Sequence, residues 1–214
     1  MASKKSKRPQ TKMEEIANTI SHGIGVLLVL IGIPFLLWKA FESNDSWTFA
    51  SAIAFSLGML MVYASSTLYH AVSNQKWKAL LQKSDHISIY FLIAGTYTPM
   101  VLAVLPKEEA LPFLGLIWSF VLVGTLFKIF FTGRFKFVSV GLYLLMGWIS
   151  VFIYDSIIQN LSTENIFWLA AGGLSYTLGV IFYIMSNRRY FHTVWHVFVL
   201  LGTLSHFIVV YQVL

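Results

Sequence analysis

The chain has no cysteine, which excludes disulfide bonds, thiolate metal ligands and cysteine nucleophiles. It is also poor in charge. Asp, Glu, Lys and Arg make up 11% of its 214 residues, against roughly 25% in an ordinary soluble domain. No P-loop, no dinucleotide-binding glycine pattern and no Gly-x-Ser-x-Gly elbow occurs, so the commonest nucleotide and serine-hydrolase signatures are missing. Internal repeats, low-complexity tracts and linkers are absent too, which points to a single domain.

Apolar and aromatic residues fill the space. Hydrophobic residues reach 57%, with 18 Phe, 10 Tyr and 7 Trp, and the mean hydropathy is +0.71. A soluble fold of this size cannot hide so much apolar surface, so lipid must cover much of it. The net charge of +6 sits in short clusters between apolar runs. That is a membrane-topology pattern rather than a nucleic-acid footprint.

Seven runs are long enough to cross a bilayer as helices of about 20 residues. They are Ile16–Ala40, Trp47–Val72, Asp85–Leu105, Leu111–Phe131, Phe137–Tyr154, Ile166–Met185 and His192–Leu214. Only Thr132–Lys136 separates the fourth from the fifth, so a merged or re-entrant pair is the alternative there. The expected architecture is an all-α, seven-transmembrane-helix bundle over residues 15–214, preceded by a basic cytoplasmic tail over residues 1–14. The apolar run after the tail is too long for a signal-peptide core. With the N-terminus inside and the C-terminus outside, the inner segments hold Lys4, Lys5, Lys7, Arg8, Lys12, Lys76, Lys78, Lys83, Lys128, Arg134, Lys136, Arg188 and Arg189. That is 13 of the 15 basic residues, a strong positive-inside bias that an even number of spans would break.

Ionisable groups inside spans are costly and usually mark function. In this topology His22, His70, His86, His192 and His196 all fall near the inner ends of spans, and Asp85 opens span three beside His86. His192 and His196 are four apart and share one helical face, a standard way to offer two imidazoles to one metal. Ser66 stands one turn from His70, and Asn18 one turn from His22. His70, His192 and His196 as three ligands leave a fourth tetrahedral position for water, the catalytic rather than the closed structural pattern of zinc. Asp85 is then the candidate general base, with Ser66 as a hydrogen-bonding neighbour. His22 and His86 compete for the ligand roles, and Asn18 and His22 are further candidates for polar contacts. The bland alternative is that paired histidines only hydrogen-bond neighbouring helices. His206 lies ten residues past His196, about 15 Å deeper by helical rise, and is expected in a buried hydrogen-bonding role. Pro99 should bend span three. Gly23, Gly25, Gly32, Gly172, Gly173 and Gly179 are expected at close helix contacts, and Trp38, Trp47, Trp118 and Trp168 at the membrane interfaces.

The combination Glu15…Asn18…Ser21-His22-Gly23, Ser66-Thr67-Leu68-Tyr69-His70, Asp85-His86, Gly95-Thr96-Tyr97-Thr98-Pro99 and His192…His196-Val197…His206 resembles the motif set of hemolysin III membrane proteins. These form the bacterial branch of the progestin and adipoQ receptor superfamily, and the resemblance runs from about residue 14 to 210. It implies a seven-helix bundle in the bacterial plasma membrane. It implies zinc near the cytoplasmic side, held by the residues matching His70, His192 and His196, with Ser66 and Asp85 beside the bound water. It further implies membrane lipids as partners and lipid amide or ester hydrolysis or lipid homeostasis as the function. A non-enzymatic sensor of membrane state with a structural zinc is the alternative. A pore-forming cytolysin is the third, though the uniformly apolar spans show no polar stripe for a water-filled pore.

Overall fold

Thr11 opens the first helix. Its hydroxyl accepts the N–H of Glu14 and its own N–H donates to the Glu14 carboxylate, a reciprocal capping box. Asp45, Asn74 and Ser162 cap three later helices through their side-chain oxygens. The computed structural model describes residues 8–214. Residues 1–7 of the expected basic tail, with Lys4, Lys5 and Lys7, lie outside the described residues.

The helices are α1 (Lys12–Glu42), α2 (Ser46–Ala71), α3 (Gln75–Val104), α4 (Lys107–Phe131), α5 (Lys136–Trp148), α6 (Tyr154–Asn160), α7 (Thr163–Ile184) and α8 (Phe191–Val213). A 3₁₀ turn over Ile149–Ile153 joins α5 to α6. With α5 and α6 forming one crossing, seven helical segments among the described residues are long and apolar enough to span a membrane. No strand occurs among the described residues. Large apolar side chains such as Leu27, Ile31, Phe130 and Phe152 point outward, as a lipid-facing surface requires.

Successive helices pack against each other from α1 to α4, and α7 packs on α8. α8 then returns to lie on α1 and α3. The tightest crossing is α2 on α3. A Cβ on Gly58 would stand 2.7 Å from the Phe91 carbonyl oxygen, and one on Gly95 would stand 2.6 Å from that of Ala54. Backbone therefore touches backbone, the usual gain from small residues in membrane helices. Gly95→Leu is expected to cost roughly 1–3 kcal/mol or more by overpacking. In thermal unfolding in detergent its midpoint should fall, while Gly115→Leu, with nothing within 4 Å of the added carbon, should leave it unchanged.

The structure corrects several expectations. Asp85 does not open its helix: α3 starts ten residues earlier, at the Asn74 cap, so Asp85 sits nearly three turns in. The apolar run begins only at Asp85 because Lys76, Lys78 and Lys83 make the first turns of α3 polar. The fifth run is not one regular helix. The Tyr97 hydroxyl accepts the Ser150 N–H at 2.8 Å and donates to the Gly147 carbonyl at 3.0 Å. A buried side chain thus takes over the backbone groups freed at the 3₁₀ turn, the condition for irregular backbone at membrane depth. The fourth and fifth runs stay separate, turned by Gly133 in the left-handed region at φ 80°. Gly25, Gly32, Gly172 and Gly179 do meet close neighbours, but Gly23 makes only ordinary contact and Gly173 none. Trp118 is no interfacial anchor. It sits mid-helix in α4 and donates to the Thr98 hydroxyl inside the bundle.

Candidate metal centre

Two helices bring the imidazoles together. His70 stands in the last turn of α2, while His192 and His196 stand in the first two turns of α8. One ring nitrogen from each lies within 4.8 Å of those from the other two, close enough to bind one metal ion. His70 and His196 are buried and His192 is half-buried. The ring centroids are 5.2 Å apart for His70 and His192, 5.1 Å for His70 and His196, and 4.7 Å for His192 and His196.

The first turns of α1 supply the surroundings. Glu15 accepts from His70 Nδ1 at 2.6 Å and receives Lys78 Nζ, from α3, at 2.9 Å. That leaves His70 Nε2 buried with no hydrogen-bond partner. An orphaned ring nitrogen aimed among two other imidazoles is what a metal ligand looks like before its ion is added. The carboxylate on the opposite nitrogen matches the carboxylate–histidine arrangement that fixes ring orientation in metal sites. Ser21 Oγ lies 3.0 Å from His196 Nδ1 and donates to the Asn18 carbonyl. The Asn18 side chain accepts from the Thr193 hydroxyl at 2.6 Å and donates to Gln10 at 2.6 Å. It thus ties α1 to the opening turn of α8.

Farther out, the buried Glu14 carboxylate takes both terminal nitrogens of Arg8 and the backbone N–H of Tyr190. Tyr190 precedes α8 with a left-handed backbone at φ 60°. Its N–H, pointing out of the helix start, finds a carboxylate rather than a side-chain cap. Arg8 also donates to the Asn187 carbonyl. The start of α1 therefore clamps the helix that carries two of the three histidines.

The residues expected from sequence fall into three groups. His70, His192 and His196 converge. Ser66 and Asp85 come to the same place. The Ser66 hydroxyl is buried without a hydrogen-bond partner of ordinary geometry, and the Asp85 carboxylate lies beside it, within electrostatic range of His70. His22 packs flat on His196, with centroids 3.6 Å apart and planes 13° from parallel, yet it is not in the three-donor group. Both of its ring nitrogens are buried without hydrogen-bond partners. His86 also lies outside the group. Its carbonyl accepts the Tyr143 hydroxyl at 2.8 Å, and its ring is within electrostatic range of His192. His206 lies elsewhere, half-buried rather than buried, with its ring 3.2 Å from the Leu169 carbonyl, the hydrogen-bonding role expected of it.

Sequence reasoning assigned Glu15, Ser21, Lys78, Arg8 and Glu14 no place in the metal centre or its surroundings. Glu15, Asn18 and His22 recur at three- and four-residue spacing, one polar face of an otherwise apolar helix. That stripe was the available signal for Glu15. Glu15→Gln keeps size but weakens the bond to His70. Metal affinity is expected to fall about 10–100-fold in titrations against a competing chelator, with the fold intact by circular dichroism.

Fold and site together define a polytopic membrane protein with a three-histidine centre near one end of its helical bundle. The chain belongs to the hemolysin III family, within the progestin and adipoQ receptor superfamily. The family model described as "Haemolysin-III related" matches residues 10–207. The chain is 42% identical over 197 residues to the hemolysin-3 homolog of Bacillus subtilis, covering 92% of each chain. It is 36% identical to hemolysin-3 of Bacillus cereus, over 100% of this chain and 98% of that one. It is also 29% identical to the human monocyte to macrophage differentiation factor, over 95% of this chain and 86% of that one. Its seven apolar helices and its bacterial relatives make it a multi-pass protein of the bacterial plasma membrane.

Proposed function

We propose that the protein is a zinc-dependent hydrolase acting on the amide or ester bond of a membrane lipid. The observation that carries this reading is the convergence of three imidazoles, a carboxylate and a serine hydroxyl inside a lipid-facing bundle. An all-imidazole donor set suits zinc and lacks the soft thiolates of closed structural sites. Three protein donors are one short of the four that structural zinc takes. Zinc held there supplies Lewis-acid polarisation of a carbonyl and acidifies water.

The chain's own groups do the rest. Glu15 holds the His70 proton on Nδ1, so that Nε2 faces the other two donors. Ser21 restrains His196 in the same way through Nδ1. Asp85 accepts a proton from the attacking water at a carboxylate oxygen and returns it to the leaving amine or alcohol. Ser66, beside the Asp85 carboxylate, donates to a substrate oxygen. His22, stacked on His196, offers a further polar edge.

The orientation belongs to the same reading. The start of α1 meets the α7–α8 connection through Arg8 and Asn187, and meets α3 through Glu15 and Lys78. Lys136, just past the α4–α5 turn, reaches the carbonyls at the end of α7. The basic connections therefore gather at one end of the bundle, which the positive-inside rule assigns to the cytoplasm. The tail before Ile16 is then cytoplasmic and the zinc lies in the inner leaflet.

A second reading is favoured by one observation. The three imidazoles come from α2 and α8, so a bound ion would staple two helices that are far apart in sequence, with α1 holding their outer nitrogens through Glu15 and Ser21. In that reading the metal is structural and the protein senses membrane state without hydrolysing anything. A test of the hydrolase is fatty-acid release from a panel of acyl amides and esters by purified, zinc-loaded protein. Release that stops on chelation is expected. A zinc-loaded protein inert across the panel overturns it.

A further inference from the structure

A second feature lies away from the histidines. Between α1 and α8 runs a groove of about 320 Å³, almost wholly apolar, open to the lipid side of the bundle. Two glycines create it. A Cβ on Gly32 would stand 2.7 Å from the Phe207 ring, and one on Gly25 would collide with the Tyr63 ring. Both aromatic rings therefore occupy the hollow that the missing side chains leave, and line the groove. Phe35 and Leu204, both more than half exposed, form its rims.

The length of the groove is informative. From Gly25 to Phe35 is ten helical residues, about 15 Å, or half of the roughly 30 Å hydrocarbon core. One leaflet's acyl chain lies in that depth. Lys39 stands one turn beyond Phe35, at the mouth. Its ammonium donates to the Tyr211 carbonyl and sits 4.6 Å from the centre of the Tyr211 ring, which lines the groove. Among the described residues no carboxylate pairs with Lys39. An ammonium has three donors, and the one bond found leaves the others facing the headgroup layer.

We infer that this groove is a binding site for a single phospholipid of the leaflet on the Lys39 side, with one acyl chain laid along α1 and α8 and its phosphate on Lys39. An apolar slot without a cation would take any chain. A cation without a slot would take any anion. The two together, spaced by one leaflet's depth, specify an anionic headgroup joined to an acyl chain. In the orientation proposed above this is the outer leaflet. The inner end of the groove is closed by Tyr63, whose other contacts include the edge of His22 at 5.2 Å. The lipid is thus one aromatic ring removed from the imidazole cluster, and its binding does not depend on hydrolysis there.

The test uses the full chain in detergent micelles and phosphatidylglycerol carrying a photoreactive diazirine in one acyl chain. Crosslinked peptides should concentrate in residues 25–35 and 200–211. Leu204→Trp, which fills the groove from an exposed rim, should cut that labelling at least five-fold. Leu116→Trp on the exposed face of α4 should leave it unchanged. Lys39→Gln should reduce labelling by phosphatidylglycerol about five-fold, the worth of one basic residue at an anionic surface. The same diazirine chain on diacylglycerol, which lacks phosphate, should label wild type and Lys39→Gln alike. Should Leu204→Trp fail to fold, Leu28→Trp fills the slot from the other rim. Labelling spread evenly over all lipid-facing helices and indifferent to both tryptophans would mean annular lipid only and would overturn the site. Loss of diacylglycerol labelling together with phosphatidylglycerol in Lys39→Gln would refute the phosphate contact.

Discussion

Asp85→Asn is expected to abolish hydrolysis while leaving the metal in place. The exchange keeps shape and burial and removes only the ability to accept and return a proton. Asp85 is not in the three-donor group, so the ion loses no ligand. The carboxylate lies beside Ser66 and within electrostatic range of His70, where water attacking a polarised carbonyl must shed its proton. General-base catalysis is typically worth 10²–10⁴-fold, and loss of at least about 10²-fold in fatty-acid release is the expected result. Metal content, measured by elemental analysis of the same preparation, should match wild type. The split between the two readouts is what matters. If Asp85→Asn loses its metal too, Asp85 supports the site and its failure says nothing about proton transfer. If it keeps both metal and activity, Asp85 is not the base. The sensor reading makes a different forecast, since a metal that only braces α2 against α8 does not need that proton acceptor, and biological function should survive the exchange.

Much of this arrangement could be read from residue order, and the reasons are physical. Spans announce themselves because a helix in lipid must be apolar over about 20 residues. Histidines stand out inside such runs because burying them carries a cost. The histidines could therefore be flagged as a set, and four-residue spacing put His192 and His196 on one face, but the choice of His70 over His22 and His86 as the third donor rested on the family resemblance. Asp85 was legible as an isolated acid, but not its depth, because the first turns of α3 are polar and look like a loop until Asn74 caps them. The break in the fifth span was hidden for a different reason. Nothing near Ser150 signals it, and the Tyr97 hydroxyl that stabilises it sits 53 residues away. Glu15 was hardest to place. A glutamate at the start of a helix already has a sufficient explanation in the helix dipole, as capping gives Glu14. Only the packing of α1 on α2 shows that one of the two neighbours reaches His70 while the other holds Arg8 and Tyr190.

His192→Ala carries the largest expected loss of metal. His192 is the least buried of the three donors, so its truncation should be the least disruptive to packing, and a fall in metal content can be read as loss of a ligand rather than of the fold. Outer-shell partners alone change affinity about 10–100-fold. Removing a donor outright should exceed that, leaving purified protein with close to background metal after exposure to a chelator that wild type withstands. His22→Ala is the instructive contrast. His22 stacks on His196 and is the nearest imidazole left in reserve, but it is outside the donor group and its loss should leave the metal bound. The double comparison separates two kinds of centre. If His192→Ala is empty and His22→Ala is full, the donor set is the one the geometry defines. If both are full, no three-histidine centre exists here, and the hydrolase and the stapled sensor fall together. If His22→Ala is the empty one, the donors lie on α1 as well as on α2 and α8, and the roles of Glu15 and Ser21 in orienting His70 and His196 must be assigned again.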